Sequence, residues 1–268
     1  MRMGMNRSVA ASVRGWVADW PDEPDHETLE RTLRHLARWR SILLANTFLT
    51  RQGDTIHGGL FAGMTYSHDA AEGALIPRLL GTYESELVPH FRSLIAERPG
   101  CVIDVGCAEG YYAVGLARLM PGVSVYAFDI DPNARAACKA LAATNDVASN
   151  VIVDSEFLPE RFESFAGRRA LVVVDIEGAE LDLLRPDLAP ALAGMALIVE
   201  THAPRILATL VERFSPTHEI VRVDHELKSF SPPDWLAELS HLDLMLAVWE
   251  WRRHPTPWLV MRPKAGWR

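Results

Sequence analysis

The sequence predicts an α/β fold, a mostly parallel sheet with helices on both faces, preceded by a helical N-terminal segment. Three observations carry this. Short apolar runs (CVIDV, VSVYAFD, NVIVD, ALVVVD and ALIVE) alternate with stretches of helical period. A glycine-bearing turn follows the first run directly. The 268 residues are 49% hydrophobic, enough to bury a full-sized core.

Taken in order, the opening MRMGMNRSVAASVRGW has no apolar stretch long enough for a secretory core and reads as a poorly ordered terminus. Over 26–44, Leu29, Leu33, Leu36, Trp39 and Leu43 recur at helical spacing behind Asp25, a plausible N-cap, so an amphipathic helix is expected there. The glycine-rich RQGDTIHGGLFAGMTYSHDAAEG has no sustained period and reads as loop. A helical pattern returns over 83–96, and Pro99 and Gly100 punctuate a boundary. From there the five apolar runs are buried strands, separated by helical segments at 111–119, 132–143, 159–166 and 178–192. EIVRVD and PWLVMRP read as further strands, with helical material over 233–251. The expected organisation is a segment 1–97, acting as a lid, an acceptor-binding or a dimer element, and a Rossmann-like domain 98–268.

Composition narrows the function. Lys and Arg total 27 against 35 Asp and Glu, a formal charge of -8, which disfavours a surface that tracks phosphates and so a nucleic-acid partner. The longest apolar run, over 188–199, contains Pro190 and Gly194 and falls short of the about 20 residues a membrane span needs. The three cysteines, Cys101, Cys107 and Cys138, are an odd number without paired spacing, which suits a reduced, cytoplasmic setting. Eight tryptophans point to core or to a homodimer seam.

The segment VIDVGCAEGYYAVGLA places a strand end at Asp104, a tight turn through Gly106 and Gly110, and a helix start near Tyr111. Glycine lets the backbone approach a ligand, and a helix start offers N–H groups to a carboxylate. About twenty residues after Gly106, the second strand ends at Asp129, where an acid can take both ribose hydroxyls. A dinucleotide fingerprint wants G-x-G-x-x-G, but position 108 is alanine and the turn reads D-x-G-x-x-x-G. An NAD-dependent oxidoreductase is therefore the weaker alternative.

That turn resembles motif I of the class I methyltransferases that use S-adenosylmethionine (SAM). The resemblance implies that Asp104 and Gly106 lie under the amino-acid end of SAM, that Ala108 and Gly110 line the turn, and that Asp129, with Ile130, holds the ribose. It also implies that Asp154 and Ser155 contact adenine. A second block, D-I-E-G-A-E at Asp175 to Glu180, follows ALVVVD. With AFDIDP and Asn145 it makes residues 100–202 similar to the FkbM family of methyltransferases. Members often carry Glu-Pro where this chain has Asp129-Ile130, and begin close to the first motif, whereas almost one hundred residues precede it here.

Strand C-terminal ends form the ligand crevice of an open parallel sheet, so Asp175, Glu200 and His202 should converge there. Two carboxylates and an imidazole suit a divalent cation, Mg2+ or Mn2+. Alternatively His202 is a general base, or Asp175 and Glu177 cap the helix expected from Gly178. A hydroxyl must shed its proton on methylation, so this cluster favours O-methylation. The expected function is a SAM-dependent O-methyltransferase acting on a small-molecule acceptor; a SAM-binding regulatory protein is the other alternative. His57, Tyr66, Tyr83 and Glu84 are the candidates for an acceptor pocket supplied by the N-terminal segment.

Overall fold

The computed structural model describes residues 2–66 and 73–267. Helix α1 (Arg2–Ala18) stands where an unordered terminus was expected. It is held by α2 (His26–Gln52) through Trp39 Nε1, which donates to Asn6 Oδ1 at 2.9 Å, and an edge-on contact of Trp16 with His35. Asp25 caps α2 as its position predicts, accepting from the Thr28 N–H at 2.8 Å. The helix runs beyond residue 44 because Leu44, Ala45 and Phe48 continue the buried stripe, and it stops at Gly53. Leu29, Leu33 and Leu36 stay exposed. Turns and one bridge, Thr55 to Thr65, follow, as the glycine-rich sequence suggests; the rest of that expected loop, 67–72, lies outside the described residues. Helix α3 (Leu75–Leu80) escaped the sequence reading because six residues, five of them buried, show no period. A single 3-10 turn, Ser85–Leu87, leads into α4 (Val88–Ala96).

The expected strands all form. In chain order they are β1 (Cys101–Val105), α5 (Tyr111–Leu119), β2 (Ser124–Phe128), α6 (Pro132–Thr144), β3 (Val151–Asp154), β4 (Ala170–Val174), α7 (Glu180–Leu183), β5 (Ala196–Glu200), α8 (Pro204–Phe214), β6 (His218–Val223), α9 (Asp234–Ala237), α10 (His241–Ala247) and β7 (Trp258–Pro263). The sheet order is β3-β2-β1-β4-β5-β7-β6, with β7 antiparallel to both neighbours. Three helices are shorter than expected. Residues 159–165 form 3-10 turns. Helix α7 lasts one turn because Pro186 cannot continue it. The 233–251 stretch breaks into α9 and α10. Helix α8 was not expected, although Ile206, Leu210 and Phe214 mark its buried face.

Side-chain parity assigns each strand residue to one of two cores, since neighbours along a strand point to opposite faces. Val102, Leu171, Val173, Ala196, Ile198 and Val260 pack with α2, α3, α4 and α5 on one face. Cys101, Ile103, Val105, Val172, Val174, Leu197 and Val199 pack with α7 and α8 on the other. By the same parity Asp104, Asp175 and Glu200, at or just past the strand ends, belong to the first face, the one covered by the N-terminal segment.

Candidate active site

The turn after β1 is built to sit against two neighbouring strands. Gly106 and Cys107 N–H groups both donate to the Phe128 carbonyl at the end of β2, at 2.8 and 3.0 Å. On the other side, the Asp175 N–H donates to the Val105 carbonyl at 3.0 Å. Gly106 (φ 84°) and Gly110 (φ 97°) take left-handed conformations, and so does Ala108 at φ 45°, the position where a dinucleotide fingerprint would carry glycine. Asp129 braces the turn: its Oδ2 accepts from the Ala108 N–H at 2.9 Å and its Oδ1 from the Asp131 N–H at 2.8 Å.

Beside this turn opens a cavity of about 560 Å3, within the range of small-molecule sites. Gly106, Ala108, Asp129, Ile130, Ser155 and Asp175 line it, with Phe128, Phe157, Leu158 and Ile176 among its apolar walls. Ile130 is 82% exposed at the rim, an apolar surface beside the cavity. Six carboxylates line the cavity (Asp129, Asp131, Glu156, Asp175, Glu177 and Asp182), and no Lys, Arg or His does so among the described residues. A pyrophosphate would meet only like charge there, which counts against a dinucleotide. A sulfonium and a ribose suit it.

Three predicted cofactor residues lie outside the lining. Asp104 is 3% exposed and turns the other way, as its parity requires, to accept from the Ala113 N–H inside α5. Burial, with Asp129 and Glu109 adding to it against that hydrogen bond, raises its carboxyl to about 7. One of the free donors expected at this helix start is thus already taken. Gly110 packs against Cys138. Asp154 is engaged by Arg161 at 2.8 Å and by the Ser155 N–H at 2.8 Å.

The structure brings Asp175, Glu200 and His202 together. His202 Nε2 lies 3.4 Å from Asp175 Oδ1, 3.4 Å from Glu177 Oε2 and 3.5 Å from Glu200 Oε2. Its Nδ1 meets Glu180 Oε1 at 2.6 Å, and Glu180, fully buried, also accepts from the Gly178 N–H at 3.0 Å. Burial works against a charged His202 ring, but the hydrogen bond to Glu180 and the charges of Glu200, Glu180 and Glu177 raise its pKa. Asp175 is pushed well above the usual carboxylate range by burial and by Glu200 and Glu84. The capping role for Asp175 and Glu177 is not seen: α7 begins later, behind Ala179, without a side-chain cap.

Sequence reasoning missed the guanidinium that knits this edge together. Arg252 pairs with Glu84 and Glu200 and reaches Glu250 Oε2 at 3.0 Å. Glu84, raised to about 8 chiefly by burial, also accepts from the Tyr112 hydroxyl. Of the four N-terminal candidates, Glu84 reaches this network and Tyr83 flanks it. Tyr66 donates instead to Glu109, and His57 sits exposed against Phe48. Asn145 pins the N-terminal segment to α6 by exchanging hydrogen bonds with the Thr65 backbone, at 3.0 and 2.8 Å.

A second ionic cluster ties residues 225–228 to the turn before α4. Lys228 joins Glu86 and, at 3.0 Å, Glu250, while His225 Nδ1 meets Glu86 Oε1 at 2.8 Å. Burial alone would raise the Glu86 carboxyl, but the hydrogen bonds from His225 and Lys228 outweigh it and hold it at about 2. A depressed carboxyl stabilises the fold above its unfolded value, about 4.3, and loses that contribution as pH falls through its folded value. Glu86→Gln should therefore cost about 1.5 to 3 kcal/mol in urea unfolding at pH 7. The gap to the parent should close between about pH 4 and pH 2; a gap that stayed constant would contradict this assignment.

No protein-family model matches the chain, so the FkbM resemblance rests on its motifs. The ribosomal protein L11 methyltransferase of Psychrobacter cryohalolentis is 37% identical over 116 residues, covering 41% of this chain and 34% of that protein. That of Acinetobacter baylyi is 39% identical over 92 residues, covering 33% and 29%. The chain thus spans about a third of the length of the curated relatives it matches. These relatives are named for a ribosomal protein, and that likeness overturns the small-molecule acceptor expected from the sequence. Among solved structures, a human methyltransferase 10 domain-containing protein aligns with a TM-score of 0.46 at 12% identity, over 84% of this chain and 95% of that one. The O-methyltransferase TomG of Streptomyces achromogenes aligns at 0.39 and 15%, over 52% and 74%. Among the described residues no helix is long and apolar enough to cross a membrane. By its strand order and its antiparallel β7, the chain has the Rossmann-like fold of the class I SAM-dependent methyltransferases.

Proposed function

We propose that the chain transfers the methyl group of SAM to an acceptor carried on a protein. The observation that carries this reading is the cavity beside the β1 turn, walled by apolar side chains, bounded by Asp129 and ending at Asp175, with no cationic lining among the described residues. SAM would supply a methyl group activated on a sulfonium, open to in-line displacement by an aligned nucleophile. Asp129 is the residue assigned to the ribose hydroxyls, Ile130 and Ser155 flank the base, and the carboxylates around Asp175 favour the sulfonium charge. The protein acceptor rests on the likeness to the L11 methyltransferases. Oxygen is the nucleophile this reading favours, because a hydroxyl must give up its proton and Asp175 joins the cavity to the His202 cluster.

Asp129→Ala should weaken SAM tenfold or more in calorimetric titration, since a hydrogen bond to a charged group is worth about 1.5 to 3 kcal/mol. Unchanged affinity would sink the ribose assignment. Incubation with methyl-labelled SAM and fractionated cell protein should place label in protein, and mass spectrometry of the labelled peptide separates an oxygen from a nitrogen acceptor. Binding of SAM without label in any protein fraction would instead support a regulatory role.

A further inference from the structure

We propose that Asp175 Oδ1, Glu200 Oε2 and His202 Nε2, with Glu177 Oε2 as a fourth donor, bind one divalent first-row cation. This deepens the methyl-transfer reading, because Asp175 also lines the cofactor cavity, but it can be tested without any turnover.

The first argument is distance. The separations of 3.4, 3.4 and 3.5 Å from His202 Nε2 to the three oxygens exceed the range of about 2.7 to 3.2 Å for an N–H hydrogen bond to oxygen. They match the edge of a tetrahedron whose corners lie about 2.1 Å from a central ion, which is about 3.4 Å.

The second argument is the filling of donors and acceptors. Glu180 is fully buried and fixed by the Gly178 N–H, so it draws the ring proton to Nδ1 at 2.6 Å. In the neutral ring the Nε2 lone pair then points at the three carboxylate oxygens, where a divalent cation and a ring proton compete for the same position. A carboxylate orienting the far nitrogen of an imidazole is the usual outer support of a metal-bound histidine. Asp175 Oδ1, the oxygen facing Nε2, is buried, and no N–H of the described residues donates to it. Arg252 does not fill the gap, because it engages the other oxygen of Glu200, Oε1, together with Glu84 and Glu250.

The comparison within the molecule is informative. Glu86, His225 and Glu250 also converge closely enough to hold an ion, but the Lys228 ammonium already joins Glu86 and Glu250. Among the described residues no Lys or Arg bridges Asp175, Glu200 and His202 in that way. Three carboxylates with one imidazole suit manganese or another first-row ion better than calcium. Held there, the ion would take an acceptor oxygen as a further ligand beside Asp175 and ease loss of its proton.

The test uses the whole chain, stripped with chelator and titrated with Mn2+ alone while free Mn2+ is followed by electron paramagnetic resonance. One ion per chain is expected, with nitrogen nuclear modulation in the spin-echo signal from the His202 ring. Asp175→Asn and His202→Gln should weaken binding tenfold or more, Glu180→Gln by about tenfold through loss of ring orientation, and Glu86→Gln should leave it unchanged. Absence of a stoichiometric site in the parent chain, or a bound ion without nitrogen modulation, would overturn the proposal whatever the variants do. SAM titration of the stripped parent separates the two readings: SAM binding without Mn2+ binding removes the metal and leaves the cofactor site standing.

Discussion

Gly106→Val is expected to abolish cofactor binding and to destabilise the fold by about 3 kcal/mol or more, through left-handed backbone strain and overpacking together. A Cβ at Gly106 would lie 1.7 Å from the Asp175 carbonyl oxygen, 2.7 Å from its carbon and 3.0 Å from Ile176 Cγ2. The first two are backbone atoms, so no rotamer change relieves the overlap. Separating the two loops would break the bond from the Asp175 N–H to the Val105 carbonyl, and with it the link between the cofactor turn and the end of β4. Gly178 supplies the control: its φ of 110° makes any side chain strained, yet nothing lies within 4 Å of a Cβ there. Gly106→Ala should therefore lower the thermal midpoint far more than Gly178→Ala and alone lose SAM binding in calorimetry. Equal effects would show that conformation, and not the Asp175 contact, sets the need for glycine. The sequence suggests that this glycine clears the way for the ligand; the structure assigns the space to the Asp175 carbonyl.

What was legible in the sequence follows from which signals are local. The strands were readable because five-residue apolar runs such as ALVVV and ALIVE are buried along their whole length. Asp129 was readable from its spacing to the turn. The places of Glu200 and His202 were readable because they stand at and just past the end of a buried strand. Asp104 was misplaced although the information was present: it precedes Val105 in the strand, Val105 lines the cavity, and adjacent strand residues face opposite ways. The period of α8 was likewise in the sequence. Other features were not local at all. Helix α1 owes its order to α2, and Glu180 looked like one acid among several in D-I-E-G-A-E until its hydrogen bond to His202 set it apart. Nothing local marks Arg252, just past the helical stretch expected to end at 251; it reaches Glu200 because antiparallel β7 sets Trp258 opposite Glu200.

Arg252→Met should prove the costliest change outside the cofactor turn. The guanidinium is the shared partner of Glu84 from the N-terminal segment, Glu200 at the end of β5 and Glu250 before β7. All three carboxylates are nearly buried, with side chains 4% exposed or less. Their combined field, set against the cost of burying the guanidinium, raises the Arg252 pKa, so its charge persists across the working pH range. Methionine keeps much of the volume and removes the charge, leaving three buried carboxyl groups without their common partner. Removing one partner of a buried ion pair costs about 3 to 5 kcal/mol, and at this chain length 3 kcal/mol corresponds to a fall in the thermal midpoint of about 6 to 12 °C. Adding Glu84→Gln to Arg252→Met should recover part of the loss, because it removes one of the stranded buried carboxyl groups, whereas Glu84→Gln alone should destabilise the parent. A double variant no more stable than Arg252→Met alone, or an Arg252→Met chain within about 0.5 kcal/mol of the parent, would mean that the network does not hold the N-terminal segment to the edge of the sheet. If the recovery is seen, the Glu84 to Arg252 to Glu200 chain is the physical link by which the segment ahead of the first motif, almost one hundred residues long, shapes the site at Asp175.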